Sequence, residues 1–484
     1  MANYKGILRS TTWVGGANAL NILVAVVRTK VFAFILGPYG IGVLGLYQSI
    51  IDVMKNCFIM GVHMSGVKFI AERNTDTVHR NQVISFILYI GILLGILGFS
   101  ICFIFSKEIS YYTFASYEYT NSIRLLSISV FFLIIYQVGL AILQGLREIK
   151  AMAFATFIAP LVSVFISIPF VIIFREKSIV CVLLFNSFVS FITILCVIKK
   201  NDVSLGNIEL KNFLIQSVSV IRLGIMLTLT ASFATLSLYI IRQYILEKSS
   251  MEMVGLFQAS WTLSTVYVGV ILSAMAADYF PKLTAVSKSI EQIYIVSNES
   301  ITIALLVGGP LVLLLCALMS VVIKVLYSSA FLGELLMFKL MLLGTIPKLA
   351  STFFGYILLV RNDNVKYIIS SANWYISFLL FSFVLWNIIG LYAIGISYII
   401  ASYLDLCCNF ILCKYSLGHV LYGLNIRLLL VLGLIGIAVV FWGDNWLYSV
   451  LLIGIAFLYI LFEVLNLCHI NNYKKLKEKL WKRK

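Results

Sequence analysis

The sequence predicts an all-α polytopic membrane protein with two pseudo-symmetric six-helix lobes and two further C-terminal transmembrane helices. The 484-residue chain is 61% hydrophobic and only 12% charged, with a mean hydropathy of +1.03. A soluble globular protein needs far more polar surface than this. Apolar stretches long enough to cross a hydrocarbon core of about 30 Å recur from end to end. The second half of the chain also repeats polar positions of the first half.

The apolar stretches indicate about fourteen membrane-spanning helices joined by short loops. We interpret the first stretch as a retained transmembrane helix, because it is longer than the apolar core of a signal peptide. The predicted spans are 10–36, 40–67, 82–105, 122–144, 151–174, 178–198, 222–246, 253–277, 297–323, 333–359, 366–387, 390–413, 426–442 and 446–467.

The basic residues predict the orientation of the chain. With the N-terminus inside, 24 of the 36 Lys and Arg residues fall in cytoplasmic segments, six fall outside and six lie within helices. Cytoplasmic loops of membrane proteins carry an excess of Lys and Arg, so both termini are predicted to be cytoplasmic. The net charge of +16 then reflects topology and contact with lipid headgroups, and it gives no reason to expect a nucleic-acid partner.

An internal repeat divides the chain into two lobes. GLYQS at 45–49 returns as GLFQA at 255–259, and ILQGLREIKAMA at 142–153 corresponds loosely to ILLVRNDNVKYI at 357–368. Six helices per lobe make the two repeats parallel, with a cavity expected between them. The predicted domains are an N-lobe (1–205), a C-lobe (206–415), helices 13 and 14 (416–470) and a basic cytoplasmic tail (471–484).

The first helix of each lobe carries one polar stripe. A spacing of three residues and then seven keeps side chains on nearly the same face of a helix. Each stripe ends in an arginine, which we predict to face the cavity. The matching residues are Asn18, Asn21 and Arg28 in the first lobe, and Ser232, Thr235 and Arg242 in the second.

The second predicted helix carries a polar stripe as well. Its members are predicted to fall within roughly 80° of one another at about 100° per residue. Such a stripe within an apolar helix indicates a face in contact with water, since a charge in hydrocarbon costs at least about 2.5–3.5 kcal/mol. The stripe consists of Gln48, Asp52, Lys55 and His63.

Two interpretations of these charges remain open. Arg28 and Asp52 lie at depths where they could meet across the first hairpin, so a structural ion-pair network is one interpretation. We favour a charged lumen, because Arg242 repeats the arrangement in the other lobe. Lys30 points about 200° away from Arg28, which is compatible with a side chain that reaches the outer headgroups.

Four further charged residues complete the candidate set. Lys339 and Lys348 lie about half a turn apart on the tenth helix, so at most one can face the same cavity. Asp405 lies toward the inner end of the twelfth helix, and Asp278 with Pro281 closes the eighth helix at the cytoplasmic mouth. We consider both aspartates as gating or coupling residues, with helix capping or lobe contact as the alternative for Asp278. A lumen with more cations than acids suits an anionic substrate.

The sequence contains no pattern typical of an enzyme or a resident metal. Zinc, phosphate-loop and nucleophile motifs are absent, and the four histidines are scattered. The nine cysteines lie mostly within or at the ends of apolar helices, where they act as small hydrophobic residues. We therefore predict no catalytic residues, no metal site and no bound cofactor.

Three segments carry a family resemblance: RTKVFAFILGPYGIGVLGLYQSI at the first hairpin, LQGLREIKAMA between helices 4 and 5, and DYFPKLT after helix 8. Together, over about residues 5–415, they resemble the polysaccharide-transport branch of the multidrug/oligosaccharidyl-lipid/polysaccharide (MOP) exporter superfamily. They are most similar to Wzx-type O-antigen flippases of Gram-negative bacteria.

This resemblance implies a V-shaped pair of lobes that moves undecaprenyl-diphosphate-linked O-antigen or polysaccharide repeat units across the bacterial inner membrane. The movement, from the cytoplasmic to the periplasmic leaflet, is expected to use alternating access and a proton or sodium gradient. Cationic lumen residues are expected to hold the diphosphate or acidic sugars, and Arg28 and Arg242 map to that role. The implied partners are the lipid-linked oligosaccharide, membrane lipids, an O-antigen polymerase and a chain-length regulator. Helices 13 and 14 depart from the commoner twelve-helix pattern and resemble the extra pair of the peptidoglycan-precursor flippase.

Two other functions are weighed against this one. A cation-coupled drug or metabolite exporter of the same superfamily would favour several acids deep in one lobe, whereas only Asp52 is unambiguously deep. A membrane glycosyltransferase or polymerase would be expected to carry a large external loop with catalytic polar residues. The longest predicted loop spans only about residues 106–121.

Overall fold

The structure is a computed structural model that describes the backbone of residues 4–59, 61–72, 77–201, 206, 228, 231–361, 363–418, 421–442 and 446–481. Side chains are described from Leu20 onward within these ranges, with a few exceptions inside helices. All regular elements of the described residues are helices, as the sequence predicted.

The described residues of the first half form eight helices. They are α1 (Tyr4–Ile59), α2 (Val62–Glu72), α3 (Thr77–Ile104), α4 (Ser106–Phe114), α5 (Thr120–Gly145), α6 (Ile149–Phe174), α7 (Ile179–Lys200) and α8 (231–248).

The described part of the second half adds ten helices. They are α9 (Met251–Trp261), α10 (Val268–Ala285), α11 (Ile290–Ala317), α12 (Met319–Leu326), α13 (Leu335–Leu343), α14 (Thr345–Val360), α15 (Asn364–Ile389), α16 (Tyr392–Leu417), α17 (Gly423–Trp442) and α18 (Trp446–Trp481).

Ten segments of the described chain are long and apolar enough to cross a membrane. Three of them contain an internal break: Leu20–Ile59 at Gly37, Ile149–Lys200 at a 3₁₀ turn over Arg175–Ser178, and Ser329–Val360 at Gly344, between Leu335–Leu343 and Thr345–Val360. The polytopic α-helical prediction is confirmed, and the count of fourteen spans stays a prediction.

The break in α1 has a local cause. Gly37 has φ +65° and ψ −171°, a conformation that side-chain-bearing residues rarely adopt. Pro38 follows, and proline disfavours helical geometry at the residue before it while providing no backbone donor. The Gly-Pro pair therefore ends one helical stretch and starts the next, where the sequence predicted a turn.

Two predicted helix ends are wrong. The span 40–67 is not one helix, because Gly61 has φ +67° and separates α1 from α2. The eighth predicted helix does not close near Asp278: α10 continues through Pro281 to Ala285, after a π-helical stretch over Thr262–Tyr267. Proline is tolerated inside such helices where local adjustments satisfy the freed backbone carbonyl.

Contacts divide the molecule into two compact units. Unit 1 comprises Met1–Gln258 and Lys324–Phe331, and unit 2 comprises Ala259–Ile323 and Leu332–Lys484. The described part of 206–258, which the sequence assigned to the C-lobe, thus clusters with unit 1. The predicted lobes describe an ancient duplication rather than contact clusters, and they stay a prediction.

Unit 1 is built around α5. Ile70 of α2, Phe86 of α3 and Val138 of α5 belong to one buried apolar cluster, and α5 packs through Leu143 against Ile194 of α7 in another. Helix α8 is attached to α4 by a hydrogen bond of 2.9 Å between the Tyr239 and Thr113 hydroxyls, and by the Gln243 side-chain amide, which donates to the carbonyl of Tyr112.

Unit 2 contains an aromatic cluster and an amide network. The rings of Trp261, Trp374, Phe378 and Tyr398 lie 5.3–6.1 Å apart between centroids, in tilted and edge-to-face pairs. At α17, the Asn425 side-chain amide donates to the carbonyl and side-chain oxygens of Asn298 on α11, each at 3.1 Å. The Thr302 hydroxyl donates to Asn425 at 2.7 Å. This buried network fastens α17 into unit 2.

Candidate functional site

The most buried cation among the predicted site residues of unit 1 is Arg242. Helix α8 places its side chain between α1 and α9, where it is 6% exposed. One terminal guanidinium nitrogen donates to the Ser49 hydroxyl and the other to the side-chain oxygen of Gln258 at 2.5 Å. The Nε of Arg242 is buried without a partner. Both acceptors are neutral, so within the described part of the chain the charge is hydrogen-bonded without a direct contact to an acid.

The two copies of the repeat motif meet at this arginine. Ser49 ends GLYQS on α1, and Gln258 belongs to GLFQA on α9. Glycines let the backbones approach: a Cβ at Gly255 would overlap the carbonyl oxygen of Pro38, and one at Gly45 would lie 3.1 Å from the Gln258 side-chain oxygen. Small residues serve this purpose where membrane helices pack closely. The repeated glycines thus bring both motifs to one guanidinium.

Asp52 and Lys55 form an ion pair on α1. The Lys55 ammonium lies 2.8 Å from the Asp52 carboxylate, which also accepts from the Gln48 side-chain amide at 3.2 Å. Both charged side chains are partly exposed, and Asp52 lies within electrostatic range of Arg242. The described partners of Asp52 do not include Arg28. The predicted meeting of Arg28 and Asp52 is therefore replaced by a pair within one helix.

A cavity of about 200 Å³ lies at the break between α1 and α2. Lys55 and His63 both line it, although Gly61 interrupts the helix between them. The remaining lining residues are Asn56, Ile59, Gly61, Gln137, Thr228 and Ala231. The predicted polar stripe is thus divided between two helices, and its last two members face the same polar space.

The first stripe is only partly described. Arg28 is half-buried on α1, and the side-chain oxygen of Asn21 is buried without a hydrogen-bond partner. The side chain of Asn18 lies outside the described residues. Lys30 does not extend to headgroups: its ammonium donates to the carbonyls of Lys324 at 2.6 Å and Tyr327 at 2.5 Å, at the end of α12. Lysine commonly satisfies the last carbonyls of a helix in this way.

Unit 2 holds a cavity of about 240 Å³ that contains both Lys348 and Asp405. The Lys348 ammonium lies 3.9 Å from the ring centroid of Trp374 and 5.5 Å from that of Tyr398. Asp405 accepts from the Ser351 hydroxyl at 2.6 Å and from the Asn409 amide at 3.3 Å. One lysine and one carboxylate therefore share a cavity with aromatic walls.

The other two predicted residues lie elsewhere. Lys339, on α13, is 2% exposed and lines a separate cavity of about 190 Å³ with Leu335 and Val440, so the two lysines serve different spaces. Asp278 is exposed on α10 and forms an ion pair of 2.6 Å with Lys282, one helical turn later. It does not cap the helix, which continues beyond it. The gating role of Asp278 stays a prediction.

The sequence analysis missed the neutral partners of these charges. Ser49 and Gln258 stand inside the quoted repeat motif, which was the available signal for their role. Asn409 follows Asp405 by four residues, so a helical face count could have found it. Ser351 and Trp374 reach the site from α14 and α15, and their proximity to Asp405 depends on how these helices pack.

A model of the polysaccharide biosynthesis protein family matches residues 31–334, which is more than half of the chain. The chain belongs to this family. The match contains Arg242, Ser49, Gln258 and the Asp52–Lys55 pair, and it ends before the unit 2 cavity. No curated protein sequence matches this member of the family.

Solved structures of MOP superfamily transporters share its fold. The chain is similar to the inward-facing conformation of a multidrug resistance MATE family transporter, with a TM-score of 0.73 and 14% identity over 82% of this chain and 94% of that one. It is also similar to the lipid II flippase MurJ in an inward closed conformation, with a TM-score of 0.71 and 13% identity over 92% and 97%. A MOP superfamily transporter from Pyrococcus furiosus Vc1 (DSM3638) has a TM-score of 0.65 and 16% identity over 86% and 96%.

Proposed function

We propose that the protein flips undecaprenyl-diphosphate-linked polysaccharide repeat units, such as O-antigen units, from the cytoplasmic to the periplasmic leaflet of the bacterial inner membrane. The observation that carries this proposal is the buried, hydrogen-bonded Arg242 beside the Asp52–Lys55 pair, within otherwise apolar helices. Membership in the polysaccharide biosynthesis protein family supports the glycan, and the shared fold with MurJ supports the movement of a lipid-linked headgroup.

The physical task requires polar space inside the membrane. A glycan headgroup cannot cross hydrocarbon unaided, because each hydroxyl would lose its hydrogen bonds at a cost of several kcal/mol. A polar cavity in each unit provides donors and acceptors for such a headgroup. The polyprenyl tail needs no such space, since it stays in the lipid.

The charge balance in unit 1 favours a diphosphate. Its predicted site residues comprise three cations, Arg28, Lys55 and Arg242, against the single carboxylate of Asp52. Arginine is well suited to phosphate because its planar fork donates two parallel hydrogen bonds. The neutral partners of Arg242 leave its positive charge available to act on an approaching anion.

Transport in this proposal proceeds by alternating access, coupled to a proton or sodium gradient. Asp405 is the candidate coupling residue, and Asp278 is the candidate gating residue. Both termini are cytoplasmic in this arrangement, and an O-antigen polymerase and a chain-length regulator act on the flipped units. A second function, cation-coupled export of a drug or metabolite, is favoured by one observation: Asp405 is a buried acid that lines a cavity.

Reconstitution in proteoliposomes tests the proposal. Undecaprenyl-diphosphate oligosaccharide is placed in both leaflets, and a membrane-impermeant glycosidase measures the fraction that reaches the outer leaflet after the outer pool is removed. We expect flipping by the wild type, loss in Arg28→Ala, and wild-type flipping in Lys150→Ala, an exposed lysine at the start of α6. If the wild type moves no lipid under imposed proton or sodium gradients, the exporter becomes the better proposal.

A further inference from the structure

The unit 2 cavity differs from unit 1 in its charge. Lys348 and Asp405 are the ionisable side chains of opposite sign that line it. The two charges are opposite and equal, so together they give the cavity no net charge. For a diphosphate or acidic sugar, repulsion by Asp405 offsets attraction by Lys348, and for a cationic sugar the two effects are reversed, so neither sign of charge gains net attraction from the pair. The cavity therefore suits an uncharged ligand that both donates and accepts hydrogen bonds.

One buried polar atom at the cavity, the side-chain oxygen of Asn409, has no hydrogen-bond partner. Asn409 is 3% exposed and lines the cavity, and its amide nitrogen donates to Ser351 at 2.9 Å and to Asp405 at 3.3 Å. These bonds fix the orientation of the amide and leave its side-chain oxygen buried without a hydrogen-bond donor. An orphaned buried acceptor costs about 1–3 kcal/mol. A ligand hydroxyl that donates to this oxygen would remove the cost.

Aromatic rings form much of the remaining wall. Tyr356, Tyr367 and Tyr375 line the cavity, while the face of Trp374 is covered by the Lys348 ammonium. Tyrosine combines an apolar ring with a polar hydroxyl, which suits a ligand with one apolar face and several hydroxyls. At about 240 Å³ the cavity lies just below the range of about 300–1,000 Å³ typical of drug-sized ligands. It therefore fits one ring of a larger substrate.

We propose that the unit 2 cavity is a subsite for one uncharged sugar residue of the glycan, held by the Asn409 oxygen, Asp405 and Lys348 against the tyrosine wall. This assignment rests on the proposed flippase function and refines it. The hydroxyls of the sugar donate to Asn409 and Asp405, and a ring or hydroxyl oxygen accepts from the Lys348 ammonium. Recognition of the diphosphate is left to the more cationic unit 1.

Binding of free sugars by the purified full-length protein in nanodiscs tests the subsite. The probes are methyl glycosides of glucose, galactose, mannose and N-acetylglucosamine, with glucosamine as a cationic sugar and glucuronate as an anionic one. Saturation-transfer NMR measures each affinity. We expect at least one neutral glycoside to bind about tenfold more tightly than either charged sugar, and Asn409→Leu to weaken it about tenfold.

Charge variants make the test specific to this cavity. Lys348→Met leaves the carboxylate uncompensated, so the preference is expected to move to glucosamine, and Asp405→Asn is expected to move it to glucuronate. Lys339→Met, which removes the lysine of the separate cavity, is the matched control and is expected to bind as the wild type does. Circular dichroism and monodisperse elution establish that each variant is folded.

Each outcome bears on the proposal. Absence of binding by all neutral glycosides to the folded wild type overturns it, as does equal or tighter binding of glucosamine or glucuronate. An unchanged preference in both charge variants also overturns it, because the sugars would then bind elsewhere. Sugar binding without flipping in proteoliposomes would refute the flippase while retaining the subsite. Flipping without sugar binding would refute the subsite while retaining the flippase.

Discussion

Replacing Arg242 by methionine separates a functional from a structural role for its charge. Methionine keeps a similar length and apolar stem, and it removes the guanidinium that donates to Ser49 and Gln258. A residue retained for packing alone would be needed for stability. A residue retained to hold an anion would be needed for transport while contributing little to stability, or even reducing it.

The expected change in the free energy of unfolding follows from the contacts of the Arg242 side chain. Ser49 keeps a partner in the variant, since its hydroxyl donates to the carbonyl of Gly45 at 2.9 Å. Gln258 loses the charged donor, which costs about 1.5–3 kcal/mol. Against this loss, the variant no longer buries an ion, which costs several kcal/mol in a folded protein. We therefore expect the free energy of unfolding of Arg242→Met to stay within about 2 kcal/mol of the wild type.

Gln258→Leu is the matched comparison. It keeps the buried arginine and removes the described 2.5 Å bond from its charged nitrogen. Breaking one side of a buried charged contact is more destabilising than removing the charge, so we expect a loss of about 3 kcal/mol. We therefore expect Arg242→Met to have a free energy of unfolding close to that of the wild type, and Gln258→Leu to have a lower one than either.

Two assays check this order. Unfolding in detergent mixtures gives the free energies, and the proteoliposome assay gives flipping per folded molecule. We expect Arg242→Met to reduce flipping at least about tenfold, the loss expected for one charge-assisted hydrogen bond to phosphate. The reasoning is refuted if Arg242→Met is less stable than Gln258→Leu, or if it flips lipid at the wild-type rate.

Three further substitutions test the packing that positions the site. Lys30→Met removes two charge-assisted hydrogen bonds to the carbonyls at the end of α12. We expect stability in detergent unfolding to fall by about 2–4 kcal/mol, and flipping per folded molecule to stay within twofold of the wild type. A loss of flipping at unchanged stability would contradict this expectation. Asn425→Leu removes three hydrogen bonds that join α17 to Asn298 and Thr302 of α11, although both of these residues keep another bond. We expect the loss to cost about 2–4 kcal/mol and to make amide exchange in α17 faster than in the wild type. Unchanged protection would show that apolar packing alone holds this helix. Gly255→Ala places a Cβ on the carbonyl of Pro38 and should lower the yield of folded protein. Gly269→Ala is the control, because nothing lies within 4 Å of the added Cβ, and it should leave the yield unchanged. Equal yields of the two variants would contradict the close approach of α1 and α9.

The sequence predicted the class of the fold and one of the two helix breaks near its N-terminus. The all-α membrane fold followed from apolar stretches, because hydrocarbon admits a spanning chain only when its backbone hydrogen bonds are internal. The interruption at Gly37 agrees with the predicted spans, which end at 36 and resume at 40, and Gly-Pro chemistry accounts for it. The break at Gly61 was missed, since an isolated glycine within an apolar stretch is compatible with an uninterrupted helix.

For the charged residues, spacing predicted contacts within one helix and did not predict contacts between helices. Spacing identified Asp52 and Lys55 as neighbours, and they form an ion pair on one helix. Spacing was also compatible with contact between Lys30 and the headgroups. Its ammonium instead donates to the carbonyls of Lys324 and Tyr327, nearly 300 residues later in the chain. Periodicity describes the faces of one helix and contains no information on which other helix lies against each face.

The sequence by itself determined the membrane environment, the helical class, the repeat and the set of intramembrane charges, because these depend on composition and local periodicity. Only the tertiary structure decided how each charge is compensated. Arg242 is held by neutral side chains from both repeat motifs, and Lys348 shares a cavity with Asp405 and an unpartnered Asn409 oxygen. These arrangements join residues on different helices, and helix packing sets the distances over which a charge is paired or left free to bind a ligand.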